Sequence, residues 1–321
     1  MHTTSVATFG KAVLITMRPY LLFLSGITGL AGLAAAGHVP VSILIPVFIA
    51  SFLSYGFGQA LTDCFQTDTD AISAPYRPLV RGIISRRSVL VTSMLGLITC
   101  SVIFAAGNLL NLALGTLAVG GLATYTWFKR RWWGGPWYNA WIVCVLFLMG
   151  YFAGTGSGTF TPPVPLAALM LIVFSGYANF VIAGYFKDIE ADRATGYRTF
   201  PVVFGRLPAS LVSDLFAAGS VAGVIVHLRA TAESWSSPWA GVPAIGFGIW
   251  GTVLAVRGQL LLHHNTEDRT AHIPIRLVIE SYVLLVSAAI AAIHPWWTVP
   301  LLGFFGAFQL VLRYRTEVSQ I

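Results

Sequence analysis

Residues 164–192, "VPLAALMLIVFSGYANFVIAGYFKDIEAD", place a long apolar run directly before a cluster of charges. The run 164–186 contains no Asp, Glu, Lys or Arg. At a rise of about 1.5 Å per residue, a helix of that length crosses the hydrocarbon layer of a bilayer. Lys187, Asp188, Glu190 and Asp192 follow it immediately. The stretch therefore predicts a membrane helix that delivers a charged segment to one face of the bilayer.

The rest of the chain repeats the apolar half of this pattern. Its 321 residues are 56% hydrophobic and only 10% charged, with a mean hydropathy of +0.76, whereas soluble domains carry about 25% charged residues. Apolar runs cover about 20–36, 40–60, 88–106, 109–127, 138–155, 164–186, 207–226, 239–261, 275–293 and 297–312. We predict an all-α, multi-pass membrane bundle forming one domain over residues 1–321. The last run is short, so nine and ten transmembrane helices are both open, and no run resembles a cleavable signal peptide.

Basic residues indicate the orientation of these spans. With the N-terminus inside, 18 of the 19 Lys and Arg residues fall on the inner face, and Arg229 alone falls outside. Because Lys and Arg are retained on the cytosolic side, we expect a cytosolic N-terminus and cytosolic acidic loops at about 62–87 and 187–206. The net charge of +7 then reflects topology in a lipid bilayer, and no nucleic-acid partner is expected. The three scattered cysteines predict neither a disulfide framework nor a zinc site.

The two acidic loops hold six of the 12 acidic residues and lie four spans apart, so both should reach the same membrane face. Asp188 and Asp192 are four residues apart and share a helix face, where like charges repel unless a cation lies between them. This faint repeat suggests two four-helix halves around a central cavity.

The first acidic loop shows a related spacing. Asp63 and Asp70 are seven residues apart, with Gln66 between them on the same helical face, whereas Asp68 lies off it. Carboxylates in small number suit Mg²⁺ bound together with a phosphorylated substrate, and arginine matches phosphate geometry. Cations flank both loops at Arg77, Arg81, Lys187, Arg193 and Arg198. The pattern points to a lipid-like substrate with a diphosphate head, although solvated loops with internal salt bridges are the simpler alternative.

These motifs resemble the UbiA-type intramembrane prenyltransferase superfamily. Its first signature, Asn-Asp-x-x-Asp-x-x-x-Asp before Arg-Pro, is similar to residues 62–70 and the later Arg77-Pro78. The second, Asp-x-x-x-Asp before Gly-x-x-Thr-x-Pro and Gly, is matched at Asp188, Asp192, Gly196, Thr199, Pro201 and Gly205. A Tyr followed by a Lys-Arg loop is matched at Tyr125, Lys129 and Arg130, and "MRPYLLFLSG" resembles the start of the family's first helix. Thr62 and Gln66 replace the family's Asn and middle Asp.

The resemblance implies the roles of the site residues. Two Mg²⁺ ions would bind an isoprenyl diphosphate through Asp63, Asp70, Asp188 and Asp192 as catalytic ligands, with Asp68 as a substitute for the missing acid. The implied diphosphate contacts are Arg77, Lys129, Lys187 and Arg198, and the implied cavity residues are Gln66, Tyr125, Asn179 and Tyr185. An allylic cation would form and alkylate a hydrophobic or aromatic acceptor.

Three functions remain open at this point. The favoured one is isoprenyl transfer, and the alternative is a membrane terpene cyclase of the same superfamily, which the altered Gln66 position favours. A transporter is less expected, because transporter sites lie near the bilayer midplane whereas these acids lie at span ends. Asp214 and Glu280 lie within apolar runs, where ionisable residues are functional candidates.

Overall fold

The computed structural model describes residues 6–158 and 163–315, and within these ranges the chain forms helices and no strand. The α-helices are α1 Val6–Met17, α2 Leu22–Ala35, α3 Val41–Asp63, α4 Thr67–Ser73, α5 Arg86–Gly107, α6 Leu110–Arg131, α7 Gly135–Thr155, α8 Val164–Gly184, α9 Ile189–Ala194, α10 Phe200–Phe204, α11 Arg206–Thr231, α12 Val242–His263, α13 His272–Ile293 and α14 Thr298–Arg313. Each of the ten predicted apolar runs coincides with one long helix, so the all-α prediction is confirmed.

Eight helices in the described ranges are long and apolar enough to cross a membrane, and a bent pair of helices can form a ninth span. That pair joins α1 to α2 through a break at Arg18 and Pro19. The short α14, extended by the turn Pro295–Trp297, is among the eight. The helix α6 is 22 residues long but falls outside these candidates because it is less apolar.

The break between α1 and α2 has a local cause. Pro19 has no N–H to donate, and Arg18 adopts a left-handed conformation with φ 52°, which non-glycine residues rarely do. The two helices consequently meet at an angle of 46°. This turn directs the Arg18 side chain to the end of α3, where it contacts Asp63.

Small residues allow the first spans to pack closely. A Cβ atom added at Gly29 would collide with Ser51 of α3, and one added at Gly32 would collide with the backbone of α7. The central helix α13 is the most completely buried span and packs against α2, α8 and α12. Since α7 also packs against both α6 and α8, the helices form a continuous series, and the division into two four-helix halves stays a prediction.

The two acidic segments meet at one end of the bundle. The short helices α4 and α9 contact each other, and the hydroxyl of Thr69 lies 3.0 Å from that of Thr195. Segments more than a hundred residues apart in sequence therefore form one surface above the helix ends.

Candidate active site

A cavity lies at this end of the bundle, between α2, α3, α5, α6, α7 and α8. Its charged and polar wall is formed by Arg18, Gln59, Gln66, Lys129, Lys187 and Asp188. Away from the acidic end only α5, α6 and α7 line it, through residues such as Phe104, Gly115 and Met149. Gly115 and Lys129 lie on the same helix, and their separation corresponds to about 21 Å of α6 at 1.5 Å per residue. The cavity thus has a charged head and an apolar arm.

Arg77 is buried between two motif aspartates. It forms an ion pair with Asp70, and its Nη1 lies 3.8 Å from Oδ1 of Asp63. Asp63 also accepts hydrogen bonds from Nη2 of Arg18, at 3.0 and 3.1 Å, and from Nε2 of Gln59, at 2.6 Å. The predicted proximity of Asp63 and Asp70 is therefore seen, with Arg77 as the charge between them.

Burial and charge act in opposite directions within this group. Burial raises the pKa of Asp70, and the Arg77 guanidinium opposes that rise without cancelling it. Burial alone would lower the pKa of Arg77, but the carboxylates of Asp70 and Asp63 outweigh it and raise that pKa above its ordinary value. Arg77 consequently remains charged and holds the two carboxylates together.

Asp192 is fully buried beside Lys129, whose Nζ lies 3.2 Å from its Oδ1. Apart from this ion pair and the neighbouring Thr199 hydroxyl, neither carboxylate oxygen has a polar partner among the described residues. Burial, opposed by Lys129, raises the pKa of Asp192 to about 6. Buried carboxylate oxygens normally have partners, so Asp192 has coordination capacity that the fold leaves unused.

Asp68 lies apart from the other motif carboxylates. Nη2 of Arg130 donates to both of its oxygens, at 2.8 and 2.7 Å, and the Tyr197 hydroxyl lies 3.5 Å from Oδ1. Burial tends to raise the pKa of Asp68, but the hydrogen bond and charge of Arg130, together with backbone hydrogen bonds at Asp68 and Thr69, lower that pKa below its ordinary value. Gln66, not Asp68, faces the cavity. The expectation that Asp68 replaces the missing motif acid gains no support from this placement.

Six predicted site residues line the cavity: Gln66, Tyr125, Lys129, Tyr185, Lys187 and Asp188. The hydroxyls of Tyr125 and Tyr185 lie 2.7 Å apart. The rings of Tyr55, Tyr177 and Phe180 complete an aromatic wall on the same cavity.

Asn179 and Arg198 do not line the cavity. Asn179 accepts hydrogen bonds from Ser213, at 2.6 Å, and Gln259, at 3.1 Å, so its amide joins α8 to α11 and α12. Tyr177 and Phe180 occupy the cavity face of α8, and a residue between them in sequence points elsewhere at about 100° per residue. The Arg198 side chain is exposed, and only its backbone N–H contacts the site region, at the Lys129 carbonyl.

The motif aspartates form two groups, each paired with cations, and not one compact cluster. In the described ranges, no three His, Cys, Asp or Glu side chains are grouped closely enough to hold a metal ion. Asp63 and Asp70 are paired through Arg77, and Asp192 is paired with Lys129. Buried carboxylates need a nearby positive charge, which these cations provide. The role of the aspartates as metal ligands stays a prediction.

Arg18 and Gln59 were missed as site residues by the sequence patterns. Gln59 lies one turn before Asp63 on α3, where it donates to the carboxylate. The usable signal for Arg18 is the following Pro19, because the residue before a proline is displaced from helical geometry. Asp214 and Glu280, in contrast, pair with His263 at 2.7 Å and Arg276 at 2.8 Å, away from the cavity wall.

Comparison with known proteins agrees with this architecture. The model of the UbiA prenyltransferase family matches residues 22–273. The digeranylgeranylglyceryl phosphate synthase of Halobacterium salinarum is 30% identical over 234 residues, covering 66% of this chain and 79% of the relative. The enzyme of the same name from Thermococcus kodakarensis is 31% identical over 226 residues, covering 68% and 78%.

Solved structures show the same fold. A UbiA homologue from Aeropyrum pernix superposes with a TM-score of 0.66 at 19% identity, covering 92% of this chain and 98% of that one. A homologue from Archaeoglobus fulgidus, bound to GPP and Mg²⁺, gives 0.63 at 16% identity, covering 88% and 99%. The chain belongs to the UbiA prenyltransferase family. It is a multi-pass membrane enzyme of the prenyltransferase type.

Proposed function

We propose that the protein transfers an isoprenyl group from an isoprenyl diphosphate to an apolar acceptor within the membrane, in a reaction that depends on Mg²⁺. The observation that carries this proposal is the cavity, whose charged head joins an apolar arm. An amphiphile with an anionic head and a hydrocarbon tail matches that division. We further propose that the acidic end faces the cytosol, because nearly all Lys and Arg residues fall on that side.

The apolar arm favours a donor of four isoprene units. Three backbone bonds extend by about 3.3–3.6 Å, so the roughly sixteen main-chain bonds of a geranylgeranyl group extend by about 18 Å at the same advance per bond. The α6 wall between Lys129 and Gly115 is about 21 Å long. The relatives' name, digeranylgeranylglyceryl phosphate synthase, supports the same chain length and favours a glyceryl phosphate lipid over an aromatic acceptor.

The residues at the head of the cavity fit magnesium in their donor chemistry. The test is Asp192, a buried carboxylate whose ion-pair partner is Lys129 of the cavity wall, together with Asp188 on the wall itself. We propose that Asp63, Asp70, Asp188 and Asp192 hold two Mg²⁺ ions. When bound, magnesium supplies positive charge that stabilises a departing diphosphate.

The reaction breaks the bond between the first isoprenyl carbon and the diphosphate oxygen, which leaves with the electron pair. Lys129 and Lys187 on the cavity wall supply fixed positive charge where negative charge develops. The aromatic wall of Tyr55, Tyr177 and Phe180 excludes water and faces the allylic cation, which ring faces stabilise. The acceptor hydroxyl or ring donates an electron pair to that carbon and loses a proton.

A terpene cyclase is the second candidate, and Gln66 on the cavity wall is the observation that favours it. A neutral side chain at this position lowers the negative charge at the head of the cavity, and the aromatic wall also suits a cation that closes on itself. In a cyclase the electron pair comes from a double bond of the same chain.

Product analysis separates these functions. Purified protein in nanodiscs would be incubated with Mg²⁺ and geranyl, farnesyl or geranylgeranyl diphosphate, with and without a geranylgeranylglyceryl phosphate or aromatic acceptor, before mass spectrometry. We expect diphosphate release and an adduct only when acceptor is present. A cyclic hydrocarbon or alcohol without acceptor would assign the protein to the cyclases, and no turnover of any donor would refute both proposals.

The length of the apolar arm leads to a specificity prediction. Ala118 lines the arm on α6, so Ala118→Phe should fill its far part and exclude long donors. We expect kcat/KM for geranylgeranyl diphosphate to fall on the order of tenfold or more, since each 1.36 kcal/mol is a factor of ten, while geranyl diphosphate is still used. The matched control is Ala113→Phe, on the exposed face of the same helix. Equal losses for both donors in Ala118→Phe would contradict the placement of the tail.

A further inference from the structure

Asp68 has no role in the site described so far, because it does not line the cavity and does not share the Arg77 or Lys129 ion pairs of the buried motif aspartates. Both oxygens of its carboxylate instead accept hydrogen bonds from Nη2 of Arg130. Asp68 belongs to α4, and Arg130 belongs to the last turn of α6. This ion pair therefore joins the first acidic segment to the end of a helix that contributes Lys129 to the site.

Arg130 also contacts the second acidic segment. Its guanidinium carbon lies 4.3 Å from the ring centre of Tyr197, and the neighbouring Lys129 places its ammonium 4.9 Å from the same ring. The backbone N–H of Arg198 donates to the carbonyl of Lys129 at 3.3 Å. Tyr197 is thus held between two consecutive cations of α6.

A direct bond between the segments completes this arrangement, since the hydroxyls of Thr69 and Thr195 lie 3.0 Å apart. We call the group Asp68, Thr69, Arg130, Thr195 and Tyr197 the clasp. It connects α4, the end of α6 and the loop directly after α9, and each of the three helices also carries a proposed site residue. Asp70 lies on α4, Lys129 on α6 and Asp192 on α9.

We propose that Asp68 is a positioning residue, which through Arg130 and the clasp holds the two acidic segments at the spacing needed to bind a diphosphate between them. This inference rests on the proposed function. Reacting groups displaced by about 1 Å can lose a hundredfold in rate, and α4 is only seven residues long. A short helix between two loops needs contacts with other elements to hold Asp70 at a fixed distance from Asp192.

The ion pair of the clasp can be removed without unfolding the protein, because it is partly exposed. The side chains of Arg130 and Asp68 are 34% and 43% exposed, and exposed ion pairs contribute only about 0–1 kcal/mol to stability. Loss of the ion pair should therefore leave the bundle folded. A large fall in kcat or in diphosphate binding would then show that the pair positions the site residues.

The experiment is a double-mutant cycle on the full chain in nanodiscs, with Asp68→Asn, Arg130→Gln and both together. We expect each single variant to lower kcat on the order of tenfold and to weaken the calorimetric binding of magnesium with inorganic diphosphate several-fold. The double variant should lose no more than Arg130→Gln alone, because that variant already breaks the ion pair with Asp68. Arg130→Lys should recover part of both losses.

The matched control is Arg131→Gln, since Arg131 turns away to the ring and carbonyl of Trp127. Unchanged kcat and diphosphate binding in the clasp variants would overturn the inference, and so would losses that multiply in the double variant. A fall in melting temperature that accounts for the lost activity would overturn it as well. If the wild-type protein turned over no isoprenyl diphosphate, the proposed function would fail, but the binding cycle with magnesium diphosphate would still test the clasp.

Discussion

Asp188→Asn is expected to reduce turnover by on the order of a thousandfold, the loss typical of removing one charge-stabilising group from an active site. Asp188 is partly exposed on the cavity wall beside Lys187. Asparagine preserves its volume and an amide oxygen but removes the negative charge that strengthens magnesium binding. Turnover would be measured in nanodiscs at saturating Mg²⁺ and geranylgeranyl diphosphate, and binding of magnesium with inorganic diphosphate by calorimetry.

Glu190→Gln is the matched control for this variant. It removes a carboxylate two residues away whose side chain is exposed and absent from the cavity wall. We expect the control to keep its turnover and its affinity for magnesium diphosphate. Wild-type affinity and turnover in Asp188→Asn would refute its assignment as a ligand.

Arg77→Leu is expected to lower the free energy of unfolding by about 3–5 kcal/mol, because removal of one partner leaves buried charge uncompensated. Asp70 loses its ion-pair partner, while Asp63 keeps Arg18. Thermal or denaturant unfolding in detergent would show the change. Adding Asp70→Asn to Arg77→Leu removes the unpaired carboxylate and should recover a large part of the lost stability.

The recovered stability of that double variant should not restore turnover, since both a proposed ligand and a cation are missing. Arg87→Leu is the control for loss of an arginine, because Arg87 is exposed at the start of α5. Equal stability of Arg77→Leu and the wild-type protein would show that Arg77 does not neutralise the two aspartates.

The fold was predictable because the bilayer imposes simple length and polarity requirements on each span. The second acidic segment was also predictable in detail. Asp188 immediately precedes α9, and the Asp192 N–H donates to its carbonyl at 2.7 Å. The four-residue spacing of Asp188 and Asp192 therefore corresponds to one helical turn, as predicted.

The first acidic segment is less predictable, because the spacing of Asp63, Gln66 and Asp70 predicts one continuous helix. The structure ends α3 at Asp63 and begins α4 at Thr67. This break rotates every later residue relative to α3, so neither the position of Asp68 nor that of Gln66 follows from a count along the chain. The placement of Asn179 was not predictable for a different reason, since single-sequence periodicity does not reveal which neighbour covers each side of a helix that is buried all round.

The left-handed turn at Arg18 links the N-terminal helix directly to the site. A residue held at positive φ stores conformational strain of about 1–3 kcal/mol, and here its side chain is fixed by Asp63. The residue that ends the first helix is therefore also a residue of the site, so the path of the chain at this bend and the position of a guanidinium beside Asp63 depend on each other.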